Sequence, residues 1–276
     1  MRIIPRTELI LYLLLPSCII LTLTMVYFLP SELKNLFTLR YNFFSFSNPS
    51  DLLRLYTYHL IHYNLLHFMG NLVGFTIIYW ALVHVVVRGD EVRMFKVMSF
   101  IIFLVVAPAL GILDLILFSD TAARQGCGFS GILLAFNGMI PYFSFKCLAR
   151  ELNIDLRVPI IHLSFLVMAS GLAIAYVETI RAVLFVAMGI VSITFYFYWA
   201  YNRYEIEDSQ EVRERISLVM FTVSIFFFVI AISFPPELRT SHGIVNIWGH
   251  FMGLYLGMMV LYYLGLSLES TCSQKV

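Results

Sequence analysis

The feature that most limits the folds open to this chain is a series of long apolar stretches. A helix needs roughly 20 apolar residues to cross about 30 Å of hydrocarbon. In lipid every backbone N–H and C=O must be bonded within the protein, and for stretches of this length the helix achieves this. We therefore predict an all-α, polytopic transmembrane helix bundle with eight spans, at residues 8–29, 62–87, 97–118, 128–147, 158–177, 182–200, 216–234 and 245–267.

The composition agrees with a protein surrounded by lipid. Hydrophobic residues make up 60% of the chain and charged residues 13%, whereas soluble domains carry about 25% charged residues. The lipid bilayer is therefore an expected partner. No nucleic acid is expected, because the net charge is only +1 and phosphate contacts need clustered Lys and Arg. The four cysteines lack C-x-x-C spacing, so neither a disulfide framework nor a thiolate metal site is indicated.

The distribution of Lys and Arg predicts how the chain is oriented, since short cytoplasmic loops carry an excess of them. With the N-terminus inside, twelve of these residues lie inside and six outside. The run from Leu9 to Leu29 exceeds a signal-peptide core and lacks a small-residue cleavage site, so we interpret it as a retained span. We expect one transmembrane domain over residues 1–276, in a cell membrane, with both termini cytoplasmic.

Two parts of this topology are less regular. Only residues 178–181 separate the fifth and sixth stretches, so a broken or re-entrant pair, and a total of six or seven spans, stays open. Residues 30–61, between the first two stretches, are too many for a turn and mix aromatic with charged side chains. We expect this 30–61 segment to be an outer interfacial loop, partly amphipathic helix.

Polar side chains inside spans are costly and are therefore candidates for function. The topology brings four of them into the outer third of the membrane: Ser130 on the 128–147 span, His250 on the 245–267 span, and His67 and Asn71 one turn apart on the second span. A serine hydroxyl becomes a nucleophile when a neighbouring base takes its proton, and imidazole is the usual base. No carboxylate is placed to orient His250, so a Ser–His dyad is predicted rather than a triad.

Donors for a developing oxyanion are also at hand in Asn71, His67 and the backbone N–H of Ser130. Glycines surround the pair. Gly128 and Gly131 flank Ser130 and permit a tight entry into the helix. Gly253 and Gly257 follow His250 at the small-x-x-x-small spacing that allows close helix packing.

The chain resembles the rhomboid family of intramembrane serine proteases on three separated motifs. These are His62-x4-His67-x3-Asn71, Gly128-Phe129-Ser130-Gly131, and His250-x2-Gly253-x3-Gly257 preceded by Trp248 and Asn246. The resemblance covers about residues 55–145 and 240–265. It implies a rhomboid-like core with extra helices, with Ser130 as nucleophile, His250 as general base, and His67 and Asn71 as oxyanion stabilisers supported by Gly128. His62, Gly131, Trp248, Gly253 and Gly257 would be structural residues near the site.

The chain departs from the family's pattern in three respects. The Trp-Arg pair common in the family's first outer loop is absent, and Arg40-Tyr41 is the candidate substitute for it. Three candidate helices, rather than one, lie between the serine and histidine spans. Leu134 stands where bacterial relatives often have a tyrosine that stacks on the catalytic histidine, so Trp248 or Phe129 would have to support the imidazole instead.

The resemblance implies a serine-type endopeptidase that cleaves single-span or multipass membrane-protein substrates near the outer face, without cofactor or metal. Two alternatives remain open. A non-catalytic rhomboid-like adaptor would bind other spans without cutting them. A metal-handling or transport protein would use His59, His62, His67 and Asp114, although the sequence favours interfacial water as the contact of Asp114.

Overall fold

The computed structural model describes residues 6–119, 125–152, 210–234, 239–240, 243–244 and 246–273. Most of these residues are helical, which confirms the all-α expectation. The helices are α1 (Arg6–Tyr27), α2 (Ser31–Phe37), α3 (Pro49–Thr57), α4 (Leu65–Gly89), α5 (Val92–Ile101), α6 (Ala107–Phe118), α7 (Ser130–Leu152), α8 (Gln210–Ser233) and α9 (Ile247–Ser273). A π-helical turn (Ile102–Val106) joins α5 to α6, and 3-10 turns (Tyr41–Phe43 and Tyr58–Leu60) flank α3. Two-residue strands form two antiparallel pairs, β1 (Leu39–Arg40) with β2 (Gln125–Gly126) and β3 (Arg239–Thr240) with β4 (Gly243–Ile244).

Among the residues that the structure describes, three helical segments are long and apolar enough to cross a membrane: Leu65–Gly89, Val92–Phe118 and Ser130–Arg150. Shorter apolar helices cover Leu13–Tyr27, Ile216–Ile230 and Ile247–Leu261. These lengths and compositions indicate a membrane-associated protein. The predicted spans 158–177 and 182–200 lie outside the described residues.

Two predicted boundaries need correction at the site. The second span begins at Leu65 rather than at residue 62, because the side chain of Asn64 accepts the N–H of His67 and caps α4. His62 therefore lies in the connection before the helix. The serine helix begins at Ser130 itself, so this residue is in the first turn and not two residues inside the span.

Helix α7 lies at the centre of the bundle and packs against α4, α8 and α9. In the apolar part of α7, 89% of the residues are buried, compared with 56% in α4. Phe136 and Phe143, both fully buried, fill the space between α7 and neighbouring helices through edge contacts with Phe75 and Phe95. A helix enclosed in this way gives its polar residues fixed neighbours, which suits a site built at its N-terminus.

The 30–61 segment contains helices α2 and α3, and it contacts the loop that leads to Ser130. Strand β1 pairs with β2, with Leu39 opposite Gly126. The Tyr41 ring stacks on Phe118 at 5.5 Å between ring centroids. A Cβ on Gly126 would clash with the Tyr41 hydroxyl at 2.2 Å. Only a residue without a side chain allows this approach, so the segment and the serine loop form one packed unit.

Helix α6 meets α3 at a second close contact beside an irregular turn. Pro108 has no N–H to donate to the carbonyl of Leu104, and that carbonyl instead accepts the hydroxyl of Tyr56 at 3.3 Å. A Cβ on Gly111 would lie 3.0 Å from the side chain of Leu55. The 30–61 segment is thereby anchored on α6 as well as on the serine loop.

Candidate functional site

The loop before Ser130 is held by two main-chain hydrogen bonds. The N–H of Gly128 donates to the Tyr58 carbonyl at 3.1 Å, and the N–H of Phe129 donates to Nε2 of His62 at 3.4 Å. Gly128 has φ of +123°, a conformation open to glycine and strained for other residues. The chain then enters α7 at Ser130, whose N–H is in the first turn and so lacks an intrahelical acceptor.

Ser130 and His250 meet although 120 residues separate them: Nε2 of His250 lies 2.7 Å from Oγ of Ser130. Nδ1 of His250 lies 2.7 Å from the Ser233 carbonyl oxygen. A carbonyl only accepts, so Nδ1 carries the proton and Nε2 presents its lone pair to the serine hydroxyl. His250 is 8% exposed. This geometry is that of a nucleophile bonded to a base, with a third group orienting the base.

Helices α7 and α9 approach closely enough for this bond because glycines line their contact. A Cβ on Gly253 would lie 2.1 Å from the carbonyl oxygen of Gly131, and one on Gly257 would lie 2.0 Å from the carbonyl oxygen of Ala135. A Cβ on Gly138 would lie 2.3 Å from the carbonyl oxygen of Leu254. Each clash is with main chain, which cannot rotate away. The glycines are therefore needed for the helix separation that brings the two side chains together.

His62 acts in the structure as an acceptor that organises the serine loop. Its Nδ1–H donates to the Leu60 carbonyl at 3.2 Å, which leaves Nε2 to accept from Asn71 Nδ2 at 2.8 Å and from Phe129. Burial, with a smaller effect of His67, lowers the pKa of His62 to about 4, so its ring is neutral near pH 7. Only the neutral ring keeps Nε2 free to accept.

His67 and Asn71 share a face of α4 but differ in environment. Asn71 is buried and bonded to His62, and its amide keeps a second N–H for another acceptor. The His67 side chain is exposed and makes no hydrogen bond to any described residue. Its ring packs on Gly128, where a Cβ would lie 2.8 Å from Cε1 of His67. His67 is thus close to the serine loop with an imidazole nitrogen still available as a donor.

The aromatic support for His250 is not the one that the sequence suggested. Trp248 is 55% exposed, and Phe129 instead contacts Phe75 edge-to-face at 5.4 Å between centroids. The ring beside His250 is Phe234, edge-to-face at 5.9 Å. The expectation for Trp248 or Phe129 is therefore wrong. Phe234 follows Ser233 at the end of α8, in a run so rich in phenylalanine that no sequence signal singles it out.

Asp114 also differs from its expected surroundings. It is 3% exposed and accepts from Tyr58 Oη at 3.2 Å and from Asn246 Nδ2 at 2.6 Å. The interpretation that it contacts interfacial water is therefore wrong. His59 is bonded elsewhere, through Nε2 to the Ala107 carbonyl at 2.9 Å. Among the described residues there is no cluster of three or more His, Cys, Asp or Glu side chains able to hold a metal ion.

Comparisons of the chain with protein-family models, curated proteins and solved structures find no match.

Proposed function

We propose that this protein is an intramembrane serine endopeptidase of the rhomboid type, with Ser130 as nucleophile and His250 as general base. The observation that carries the proposal is the 2.7 Å contact between His250 Nε2 and Ser130 Oγ, combined with the carbonyl that fixes the tautomer of His250. A serine with only a structural role inside a helix would donate its hydroxyl to the backbone carbonyl one turn back. At the first position of α7 Ser130 has no such carbonyl in its own helix, and its hydroxyl donates to an imidazole.

The catalytic steps follow from these atoms. Ser130 Oγ attacks the scissile carbonyl while its proton passes to Nε2 of His250. The imidazolium keeps its Nδ1–H on the Ser233 carbonyl. The C–N bond then breaks, Nε2 returns the proton to the leaving amine, and the acyl group remains on Oγ. Water, deprotonated by the same nitrogen, hydrolyses this ester and restores the serine.

The proposal assigns three donors to the developing oxyanion. The N–H of Ser130 points out of the first turn of α7, where the positive end of the helix dipole favours negative charge. The ring of His67 packs on Gly128, and Asn71 retains one amide N–H. Donors fixed before the reaction stabilise charge that develops in the transition state. We assign the oxyanion role to these three groups together.

The proposed setting is a multipass protein with eight spans in a cell membrane, with both termini cytoplasmic and the dyad near the outer face. Its substrates would be membrane-protein helices that enter laterally. Such a helix must unwind at the site, because its scissile carbonyls are otherwise bonded within the helix. Helices with small or helix-breaking residues at that depth should therefore be preferred.

The test is cleavage of a fluorogenic transmembrane reporter by the purified chain in detergent, together with labelling by a fluorophosphonate probe. Ser130→Ala should abolish both signals, and His250→Ala should lower both by at least ~10²-fold, since it removes the base. Ser144→Ala, a buried serine later in the same helix, and His84→Ala, an exposed histidine of α4, are the matched controls and should leave both unchanged. Cleavage that survives Ser130→Ala would refute the proposal.

A further inference from the structure

A chain of hydrogen bonds joins the 30–61 segment to α6 and to the start of the histidine helix. The hydroxyl of Tyr58 donates to Asp114 Oδ2, and Asn246 Nδ2 donates to Asp114 Oδ1. Tyr58 and Asp114 are each 3% exposed. Both carboxyl oxygens accept, which is the arrangement a carboxylate makes. Asp114 forms no ion pair with any residue that the structure describes.

Asn246, at one end of this series of hydrogen bonds, fixes the helix that carries His250. The side-chain oxygen of Asn246 accepts the N–H of Gly249 at 2.8 Å, and the Asn246 carbonyl accepts the N–H of His250 at 3.1 Å. Asn246 is thus the N-cap of α9, and His250 lies one turn beyond it. The bond from Asn246 to Asp114 places this cap relative to α6. Any displacement of the cap moves the imidazole with it, because one helical turn is stiff.

Tyr58, at the other end of this series, fixes the loop before Ser130. The Tyr58 carbonyl accepts the N–H of Gly128, two residues before Ser130. Tyr58 therefore holds the serine loop by its main chain and, through Asp114 and Asn246, the histidine helix by its side chain. Tyr58 is buried and its neighbour His59 is bonded to α6, so the anchor itself has little freedom.

We infer that Tyr58, Asp114 and Asn246 are positioning residues that set the distance between the Ser130 hydroxyl and the His250 imidazole. The inference rests on the proposed protease function. A buried carboxyl bonded only to neutral groups is costly in lipid, and an apolar side chain of that size would cost less. What an apolar residue could not supply is two directed acceptors that join the halves of the site.

The test compares Asp114→Ala and Asp114→Asn with wild type. Asp114→Ala should lower kcat for the reporter by about 10²-fold with KM little changed, because a misplacement near 1 Å costs about that factor. Labelling of Ser130 by the fluorophosphonate probe should slow in parallel. Asp114→Asn should keep most of the rate: its oxygen can accept from Asn246, and its NH2 group can donate to the Tyr58 hydroxyl.

Tyrosine variants provide a matched control within one short segment. Tyr58→Phe removes the hydroxyl that reaches Asp114 but leaves the carbonyl that holds Gly128, so kcat should fall less than in Asp114→Ala. Tyr56→Phe removes a hydroxyl two residues away that bonds the Leu104 carbonyl, and kcat should not change. If Tyr58 and Asp114 had only a structural role, their variants would show a lower thermal midpoint but a normal kcat per labelled serine. That pattern would overturn the inference.

A distance measurement separates failure of this inference from failure of the proposed function. In a Cys127→Ser background, a Ser130→Cys, His250→Cys pair reports the separation by its rate of disulfide formation under mild oxidation. Asp114→Ala should slow this rate markedly and Asp114→Asn should not. An unchanged rate overturns the positioning inference whatever the catalytic result. Absence of cleavage and labelling in the wild type, with the rate slowed as expected, refutes the protease and supports the positioning.

Discussion

Gly253→Ala is the sharpest test of how helix packing creates the site. The added Cβ would lie 2.1 Å from the Gly131 carbonyl oxygen and 3.0 Å from its carbon. A carbon–oxygen contact without steric clash needs about 3.3 Å or more, so α7 and α9 must separate by about 1.2 Å. His250 is one turn before Gly253, and Ser130 adjoins Gly131, so the separation acts directly on the dyad.

The consequence can be worked out from the bond itself. The Nε2–Oγ distance is 2.7 Å, and a displacement of about 1.2 Å along that line gives about 3.9 Å, beyond hydrogen-bonding range. General-base assistance is then lost, and the cleavage rate should fall by about 10²-fold or more. Overpacking of this kind costs about 1–3 kcal/mol, so the folded protein should remain the major species at low temperature.

The assay is reporter cleavage by Gly253→Ala, normalised to folded protein from thermal unfolding in detergent. Gly70→Ala is the control, because a Cβ there meets nothing within 4 Å, and it should cleave at the wild-type rate. If Gly253→Ala cleaves within twofold of wild type while both variants are folded, the close packing of α7 on α9 does not set the dyad distance.

Three further predictions concern residues around the dyad. Burial lowers the pKa values of His59 and His62 from 6.5 to about 4, so between these pH values the unfolded chain binds more protons than the folded chain. The contribution of the two histidines to stability should therefore be complete above about pH 6.5 and should decrease as the pH falls towards 4. Thermal midpoints measured across that range would show this decrease. Burial raises the pKa of Cys127 to about 11, so at pH 7.5 a small maleimide should modify it far more slowly than a free thiol, as mass spectrometry would show. Gly128→Ala places a side chain at φ of +123° and should slow fluorophosphonate labelling by at least ~10-fold, since the serine loop must shift.

The sequence was sufficient to predict the parts of the site that depend on span depth and on small residues. Ser130 and His250 were expected to meet, and they lie within hydrogen-bonding distance. Gly253 and Gly257 were expected to allow close packing, and both contact the backbone of α7. The all-α class is confirmed, while the count of eight spans stays a prediction because two of them lie outside the described residues.

Other contacts of the site could not be predicted from a single sequence. Asn246 and Asp114 are 132 residues apart, and a carboxylate near the end of a span is as compatible with interfacial water as with a buried network. The role of His62 as an acceptor for the serine loop depends on a connection that the hydropathy pattern assigned to the helix. Burial and the choice of hydrogen-bond partner are decided by tertiary packing, which periodicity alone does not determine.

The group that orients His250 shows how far such packing can replace a side chain. In a Ser–His–Asp site a carboxylate holds Nδ1–H and stabilises the imidazolium by its charge. Here the Ser233 carbonyl holds the same hydrogen at 2.7 Å. A carbonyl dipole supplies the orientation but less charge stabilisation than a carboxylate. It also avoids placing a second ionised group beside the dyad in a low-dielectric setting.

The position of that carbonyl depends in turn on α8. Ser233 is the last residue of α8, and its carbonyl is among the final four that lack an intrahelical partner. The helix is held on α7 by Asn137, whose Nδ2 donates to the Phe226 carbonyl at 3.2 Å. The bond to His250 therefore satisfies a backbone acceptor at the helix end and selects the imidazole tautomer that the serine needs. In the proposed mechanism one contact would therefore meet a folding requirement and orient the base, without a carboxylate beside the dyad.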